Sequence, residues 1–274
     1  MKPLIGGTFI MLLLLVTLAA VGAEPRKVLL IGQQPDHPYR THTYMDDCEL
    51  LARCLRQTEG VTAMVSRGWP ADESALKGVS AVVVHTKLGG DLLFSKERRA
   101  AMSRMLAEGV GLTAIHWGTG SADPEASGLW LNAMGGWFNA QKGGFSRYKV
   151  ETAKVRDVCE DHPVGRGWSD FSCRDEWYYR LRFLPAAKAS ARVTVAGEDH
   201  PVAWTFERPD GGRSFGFVGA HFHDNFAEEP FRRLIVNGIL WTLKAEVPEG
   251  GAPVRITSAD LELSGEFTEV GRKK

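Results

Sequence analysis

The chain has 274 residues, of which 44% are hydrophobic and 24% are charged, an ordinary balance for a folded protein. Its 33 basic and 33 acidic residues cancel. Proteins that bind nucleic acid by neutralising phosphates carry a basic excess, so the composition disfavours a nucleic-acid partner. Once a leader and a polar tail are set aside, roughly 220 residues remain, enough to bury the core of one domain.

The first 23 residues have the pattern of a secretory signal peptide. Lys2 gives a positive start, apolar residues dominate 4–21, and small residues occupy 21–23. The continuous apolar stretch, 9–21, is short for a membrane span, which needs about 20 residues. We expect cleavage after Ala23, a secreted or periplasmic location and no stable span in the mature chain. An uncleaved membrane anchor is the alternative.

Short apolar runs alternate with helical patterns in the first half of the chain. Strands are predicted at 27–32, 62–66, 81–85 and 112–116. A helix is predicted from Tyr44 to Leu55, and another from Ser95, its expected N-cap, to Glu108. Because parallel strands need crossover connections, this alternation predicts a parallel sheet.

The second half is richer in strands. They are predicted at 145–152, 177–183, 192–196 and 202–207, and the turn residues at 209–212 join the last of these to 213–220 as a hairpin. A final helix opens at Pro230. The predicted fold is α/β: an open, doubly wound, mostly parallel sheet of the flavodoxin-like type with an added antiparallel hairpin. It spans 24–248, and a polar tail, 249–274, follows.

The histidines follow predicted strands. In open parallel sheets, ligands bind outside the carboxyl ends of the strands. Six of the eight histidines map to that rim: His37, His42, His85, His116, His221 and His223. His162 and His200 each precede a proline, which indicates turns. Imidazole suits proton transfer near neutral pH, so the rim is the predicted place for chemistry.

No nucleophile is expected at that rim. His116 stands at a strand-to-turn corner, where folds of the glutamine-amidotransferase type carry a catalytic cysteine. No cysteine ends a predicted strand, and there is no GxSxG elbow, so neither a cysteine nor a serine nucleophile is predicted. Cys159 and Cys173 lie in one irregular stretch of the sequence. Two alternatives remain for them: a disulfide bond between them, or buried free thiols.

Two polar clusters offer further site residues. Asp175 and Glu176 precede Trp177 and Tyr178; carboxylates beside aromatic rings suit a sugar, and the alternative is an edge strand with a packed aromatic face. The second cluster contains His221, His223 and Asp224, which are first-row metal ligands by type. Because no HExxH-type spacing is present, the question whether a divalent metal binds here stays open; no other cofactor is expected.

The motifs together resemble the ThuA-like, or trehalose-utilisation, family, which has the class I glutamine-amidotransferase-like fold. The resemblance covers roughly residues 26–248 and is carried by KVLLIG, THTYMDDCELLARCL, GVGLTAIHW, GGWF, DHPV, DEWYY, VAWTFERPDGGRSFGFVGAHFHDNF and FRRLIVNGILWTL. It implies a role in carbohydrate metabolism, including trehalose-like and 3-keto sugars. It also implies that His116, Glu176 and His221 face the pocket.

The resulting hypothesis is an exported enzyme, an isomerase or a hydrolase, that acts on a sugar or an oxidised (3-keto) glycoside. Glu176 would be the acid or base, with His116 and His221 as proton-transfer partners. The predicted substrate-binding residues are His37, His42, Trp117, Asp175, Tyr178, His223 and Asp224. A metal-dependent hydrolase that uses the same histidines and a non-catalytic glycan-binding module are the alternatives. The expected partner is a small sugar or glycoside, and self-association is left open.

Overall fold

The computed structural model describes residues 24–264, so the predicted signal peptide lies outside the described residues. Across 24–264, no helix combines the length and apolar character that crossing a bilayer requires. The strands are β1 Arg26–Gly32, β2 Val61–Arg67, β3 Val79–Val84, β4 Gly111–Ile115, β5 Gly120–Ser121, β6 Gly136–Asn139, β7 Arg147–Asp157, β8 Phe171–Tyr179, β9 Arg182–Phe183, β10 Lys188–Val195, β11 Glu198–Glu207 and β12 Arg213–Phe217. The helices are α1 Tyr44–Leu55, α2 Gly89–Leu93, α3 Arg99–Ala107, α4 Pro124–Met134 and α5 Glu229–Thr242.

The main sheet has the order β2-β1-β3-β4-β12-β11-β10-β7-β8. The first five strands in this order are parallel, and the other four continue as antiparallel neighbours. The apolar runs of β1, β3 and β4 are buried, as expected for strands covered on both faces. The predicted mostly parallel α/β class with an antiparallel addition is confirmed.

Two adjacent residues of β12 show that helices cover both faces of the sheet. Phe215 packs against Gly238 of α5. The hydroxyl of Ser214 donates to the Ala133 carbonyl of α4, at 2.6 Å. Because neighbouring side chains of a strand point to opposite faces, α4 and α5 lie on opposite sides. The sheet is therefore doubly wound.

Some predicted boundaries were wrong. Ser95 is not the N-cap of α3, which begins at Arg99. The sequence interpretation also missed α4, although Asp123 caps it through the Ala126 amide at 2.8 Å. The sequence signals available were the proline at its first position and the glycine just after its last residue. Gly135 adopts the left-handed conformation that such a helix end requires.

The predicted strand at 177–183 is instead the end of β8 followed by β9. Arg180, with φ of 58°, separates the two strands because a left-handed residue breaks the extended backbone. β8 begins earlier than predicted, at Phe171, because its first residues pair with the far end of β7. This earlier start places Asp175 and Glu176 inside a strand rather than before one.

The β7–β8 ribbon is joined to the rest of the sheet at one end only. β7 pairs with β10 only through Arg156 and Asp157, whereas Arg147–Val155 pair with β8. The Asp175 carboxylate on β8 accepts the amides of Ala220 and His221, at 2.7 and 3.0 Å. These bonds fix the ribbon against the carboxyl end of β12.

The first part of the polar tail packs on the domain. The Ala252 amide donates to the Asn237 side chain at 2.9 Å, and Arg53 of α1 pairs with Asp260 at 2.9 Å. All four cysteines, Cys48, Cys54, Cys159 and Cys173, carry free thiols. Burial raises the pKa of Cys54 to about 11 and that of Cys159 to about 12.

Gly216→Ala is expected to destabilise the protein by about 1–3 kcal/mol, because overpacking a core strains it. A Cβ at Gly216 would lie 2.1 Å from the ring of Trp204, which is fully buried. The indole cannot easily move, since its Nε1 donates to the Met134 carbonyl at 2.8 Å. Urea denaturation measures the loss.

The matched control is Gly128→Ala on the exposed side of α4, where a Cβ meets nothing within 4 Å. Alanine in a helix interior is expected to add about 0.5–1 kcal/mol of stability there. Equal stability of Gly216→Ala and wild type would contradict the packing assigned to Trp204.

Candidate functional site

Three loops at the carboxyl edge of the parallel strands bring histidines together. His42 follows β1, His116 follows β4 and His221 follows β12. The His42 amide donates to the His221 carbonyl at 3.0 Å, and an isolated bridge joins Thr41 to Phe222. Backbone hydrogen bonds thus hold two of these loops side by side.

Two of the three site histidines have strained backbones. His42 has φ of 49° and His116 has φ of 51°, in the left-handed region that non-glycine residues rarely adopt. Such conformations cost about 1–3 kcal/mol and are concentrated at functional sites. At His116 the strain occurs at the strand-to-turn corner identified in the sequence.

The imidazoles and one carboxylate form a tight cluster, called here the His3Glu cluster: His42, His116, His221 and Glu176. The Nε2 atoms of His42 and His116 are 3.0 Å apart. Oε2 of Glu176 lies 3.6 Å from Nε2 of His116 and 3.6 Å from Nδ1 of His221. All four candidate ligand atoms lie within 4.8 Å of one another, a spacing that can hold a metal ion.

The alternation of β8 delivers Glu176 to this cluster. Asp175 and Trp177 point inward and are fully buried, whereas Glu176 and Tyr178 are on the opposite face of the strand. The Tyr178 hydroxyl lies 3.2 Å from Nε2 of His116, and the two rings stack with centroids 4.6 Å apart. Burial raises the pKa of Asp175 to about 6, although several hydrogen bonds to its carboxylate oppose the rise.

Burial keeps the clustered imidazoles neutral. Burial, with the neighbouring imidazoles, lowers the pKa of His116 well below 6.5 and that of His221 to about 3. Burial also lowers the pKa of His42, although Asp36 opposes the change. Burial and the adjacent Asp175 raise the pKa of Glu176 above 4.5. The cluster therefore holds nitrogen lone pairs rather than imidazolium protons near pH 7.

Asp36 orients two of the rings. Its Oδ1 lies 2.8 Å from Nδ1 of His37 and 3.1 Å from Nδ1 of His42. Although burial opposes ionisation, these hydrogen bonds lower the pKa of Asp36 to about 2. The Tyr44 hydroxyl is 2.7 Å from the same His42 nitrogen. The sequence interpretation missed Asp36 and Tyr44.

A second, deeper network surrounds Asp47 of α1. Its carboxylate accepts from Nδ1 of His223 at 2.6 Å, from Nε2 of His85 at 2.9 Å and from the Thr43 hydroxyl at 2.8 Å. Nε2 of His223 faces the Leu261 carbonyl at 3.1 Å, so both ring nitrogens face acceptors. Although burial opposes it, Asp47 raises the pKa of His223 above 6.5, which favours an imidazolium.

A cavity of about 510 Å³ opens next to the His3Glu cluster. Its lining includes His37, His42, Trp117, Phe138, Asn139, Gln141, Tyr148, Glu176 and Tyr178. His116 and His221 do not line the cavity, but one ring nitrogen of each lies within 4.8 Å of a His42 ring nitrogen and of a Glu176 carboxylate oxygen. The Lys87 ammonium lies over the Trp117 ring in a cation–π contact, with Nζ 5.1 Å from the ring centroid.

The structure brings together most of the predicted site residues: His37, His42, His116, Trp117, Glu176, Tyr178 and His221. Three others lie away from the cavity. Asp175 is buried beneath β8, His223 is bonded to Asp47, and Asp224 pairs with Arg40 at the surface. The amide side chains of Asn139 and Gln141 were missed, because nothing in the sequence marks that loop as part of the rim.

The fold and the site define an α/β protein with a ligand cavity at the carboxyl edge of its sheet. The chain belongs to the ThuA family, described as trehalose utilisation, whose family model matches residues 27–242. The expected family is confirmed, and membership of it suggests a carbohydrate-related role. No curated protein matches the chain in sequence.

Solved structures with a similar fold include two ThuA-like proteins. The one from Bacteroides uniformis has a TM-score of 0.62 and 15% identity over 87% of this chain and 99% of that chain. The one from Parabacteroides merdae has a TM-score of 0.60 and 17% identity over the same shares. A glutamine amidotransferase from Thermotoga maritima matches with a TM-score of 0.45 and 9% identity, over 80% of this chain and 99% of that chain.

Proposed function

We propose that this protein is an enzyme that transforms a sugar or an oxidised (3-keto) glycoside by proton transfer. The observation that carries the proposal is the His3Glu cluster, in which a carboxylate and neutral imidazoles meet at the wall of a ligand-sized cavity. Membership of a trehalose-utilisation family supports the substrate class. Isomerisation and hydrolytic cleavage are the two reactions that such a site can support.

The cavity wall suits a sugar ring. Its volume of about 510 Å³ is within the range of small-molecule sites. Trp117 and Tyr148 offer aromatic faces, which pack against the C–H face of a sugar. Asn139 and Gln141 offer amide donors and acceptors for hydroxyl groups.

The wall of the cavity carries side chains that can accept a proton and one that can donate a hydrogen bond. Removing a proton from the carbon next to a carbonyl needs a base, and a donor that stabilises the resulting oxyanion. His37 offers a base: its Nδ1 donates to Asp36 at 2.8 Å, which leaves Nε2 as the nitrogen that can accept a proton. Glu176 is a second base, and the Tyr178 hydroxyl, 3.2 Å from His116, is a donor.

Turnover of 3-keto glucosides and of trehalose by wild type and by His221→Ala tests this function. We expect the wild type to convert at least one 3-keto glucoside. The variant should lose at least about 100-fold in kcat/KM, because it lacks the imidazole 3.6 Å from Glu176 that serves as the proton-transfer partner of that carboxylate. His200→Ala, which removes an imidazole outside the cavity, is the control and should match the wild type. Equal turnover by His221→Ala would reject the assignment; sugar binding without turnover would indicate a glycan-binding module.

Export belongs to the same proposal. The pattern of the first 23 residues supports a secreted or periplasmic enzyme that is cut after Ala23. Expression of the full chain with its leader, followed by mass spectrometry of the mature protein, is expected to show Glu24 as the first residue. An uncut chain in the membrane fraction would contradict the proposal.

A further inference from the structure

We infer that His42, His116, His221 and Glu176 bind one divalent ion of a first-row transition metal. Metal binding itself is independent of the sugar substrate. Only its catalytic consequence, stated below, rests on the proposed function.

The hydrogen bonds of two rings fix where their protons lie. Nδ1 of His116 is 2.8 Å from the Val218 carbonyl, which can only accept, so that nitrogen carries the proton. Nδ1 of His42 faces the Asp36 carboxylate at 3.1 Å and the Tyr44 hydroxyl at 2.7 Å. Because that hydroxyl hydrogen-bonds to Asp36 and can donate its proton there, both partners accept and this nitrogen carries the proton. In both neutral rings Nε2 is therefore an unprotonated lone pair.

These two lone pairs point at the same space. The Nε2 atoms of His42 and His116 are 3.0 Å apart, and neither has a proton to share in the assigned tautomers. The Tyr178 hydroxyl, 3.2 Å from Nε2 of His116, has one proton to donate, so the His42 lone pair still faces another nitrogen. A cation between or beside the two nitrogens would satisfy both. A single shared proton would put a full positive charge on a buried ring, which desolvation opposes.

The other distances match ligands of a common ion. Around an ion held tetrahedrally at about 2.0–2.2 Å, neighbouring ligand atoms are about 3.3–3.6 Å apart. Oε2 of Glu176 lies 3.6 Å from both Nε2 of His116 and Nδ1 of His221. These separations are too long for good hydrogen bonds and fit two ligands that share a metal.

His221 supplies an independent sign of a ligand. Its Nδ1 is buried and makes no hydrogen bond, and water cannot easily satisfy it because the whole residue is only 9% exposed. Buried polar atoms are nearly always satisfied, so an orphaned ring nitrogen needs an explanation. This nitrogen is the one that faces Glu176, and a bound metal ion would satisfy it.

The surroundings resemble the outer shell of a metal centre. Metal-bound histidines usually donate their other nitrogen to a carboxylate or a carbonyl, which fixes the ring and raises its basicity. His42 donates to Asp36 and His116 donates to Val218. Asp36 therefore belongs to the outer shell, since its Oδ1 already accepts from His37 and His42.

The donor set selects the class of ion. Three imidazoles and one carboxylate suit zinc, cobalt, nickel or manganese better than calcium or magnesium, which prefer oxygen ligands. His42 and Glu176 also line the cavity, so the ion would be reachable from the substrate side. In the proposed reaction the ion would polarise a sugar carbonyl, and proton transfer would rest with His37 and Tyr178.

Metal binding is tested on the full-length chain after treatment with a chelator. Zn²⁺, Co²⁺, Ni²⁺ and Mn²⁺ are titrated separately by calorimetry, and bound metal is measured by elemental analysis. We expect one ion per chain for at least one metal, and visible absorption bands for the Co²⁺ form. His221→Ala and Glu176→Gln should bind at least 100-fold more weakly, and His200→Ala should bind like wild type.

Circular dichroism checks that the variants fold. Should a ligand variant not fold, X-ray absorption of the loaded wild type decides, because the inference requires three imidazole nitrogens in the first shell. Absence of stoichiometric binding by any of the four ions, or unchanged affinity in folded ligand variants, would overturn the site. Full turnover by chelated protein would overturn the catalytic role given to the ion and leave the proposed function standing; loaded protein without turnover would reject only the function.

Discussion

Replacing Glu176 by glutamine is expected to lower kcat/KM for a 3-keto glucoside about 1,000-fold, while the protein stays folded. The amide has the same shape but lacks the negative charge that faces His116 and His221 at 3.6 Å. Glutamine can neither take a proton from a substrate nor neutralise a cation at this place. The loss is expected to fall on kcat more than on KM, because the aromatic and amide wall of the cavity is unchanged.

The matched control is Glu151→Gln on the neighbouring strand β7. Glu151 accepts the Ala196 amide at 2.8 Å and pairs with Lys149 at 2.6 Å, away from the cavity. Its replacement should leave kcat/KM within a factor of two. Retention of more than a tenth of wild-type activity by Glu176→Gln would remove this carboxylate from the reaction.

Replacing Asp47 by asparagine is expected to destabilise the protein by about 3–5 kcal/mol, because it breaks a buried charge pair. The carboxylate is 1% exposed and accepts from His223, His85 and Thr43. Asparagine would remove the negative charge that raises the pKa of His223 and would present an amide donor to another donor. Urea denaturation of chelator-treated protein measures the difference.

Glu49→Gln controls for the loss of a carboxylate from α1. Glu49 is exposed on the same helix, so its replacement should change stability by less than about 0.5 kcal/mol. A loss below about 1 kcal/mol for Asp47→Asn would mean that the network around His223 is not ionised.

The rim of the sheet could be predicted because strand ends are visible in the sequence. The short apolar runs that end near Gly32, His85 and His116 have the character of buried strands, and parallel strands share one carboxyl edge. His221 was placed correctly for a similar reason, since the turn at 209–212 fixes where β12 begins. Which ring faces which partner depends on loop backbone that no sequence pattern encodes.

The roles of the acidic residues were harder to predict. Asp47 falls on the buried face of α1 with Tyr44 and Leu51, and a carboxylate on an apolar face was the available signal. Asp175 and Glu176 are neighbours in sequence, but the pleat of β8 sends one to the backbone of Ala220 and the other to the cavity. The strand was predicted to begin at Trp177 rather than at Phe171, so the alternation of Asp175 and Glu176 between its two faces was not visible.

The β7–β8 ribbon has a consequence for assembly of the site. The histidines come from loops that follow parallel strands, whereas Glu176 arrives on β8, at the antiparallel edge of the sheet. Neither part alone can present all four side chains, so a fragment ending before residue 171 would fold, at most, an incomplete site. Occupancy of this centre would thus report that the parallel strands and the antiparallel edge of the nine-stranded sheet have been brought together.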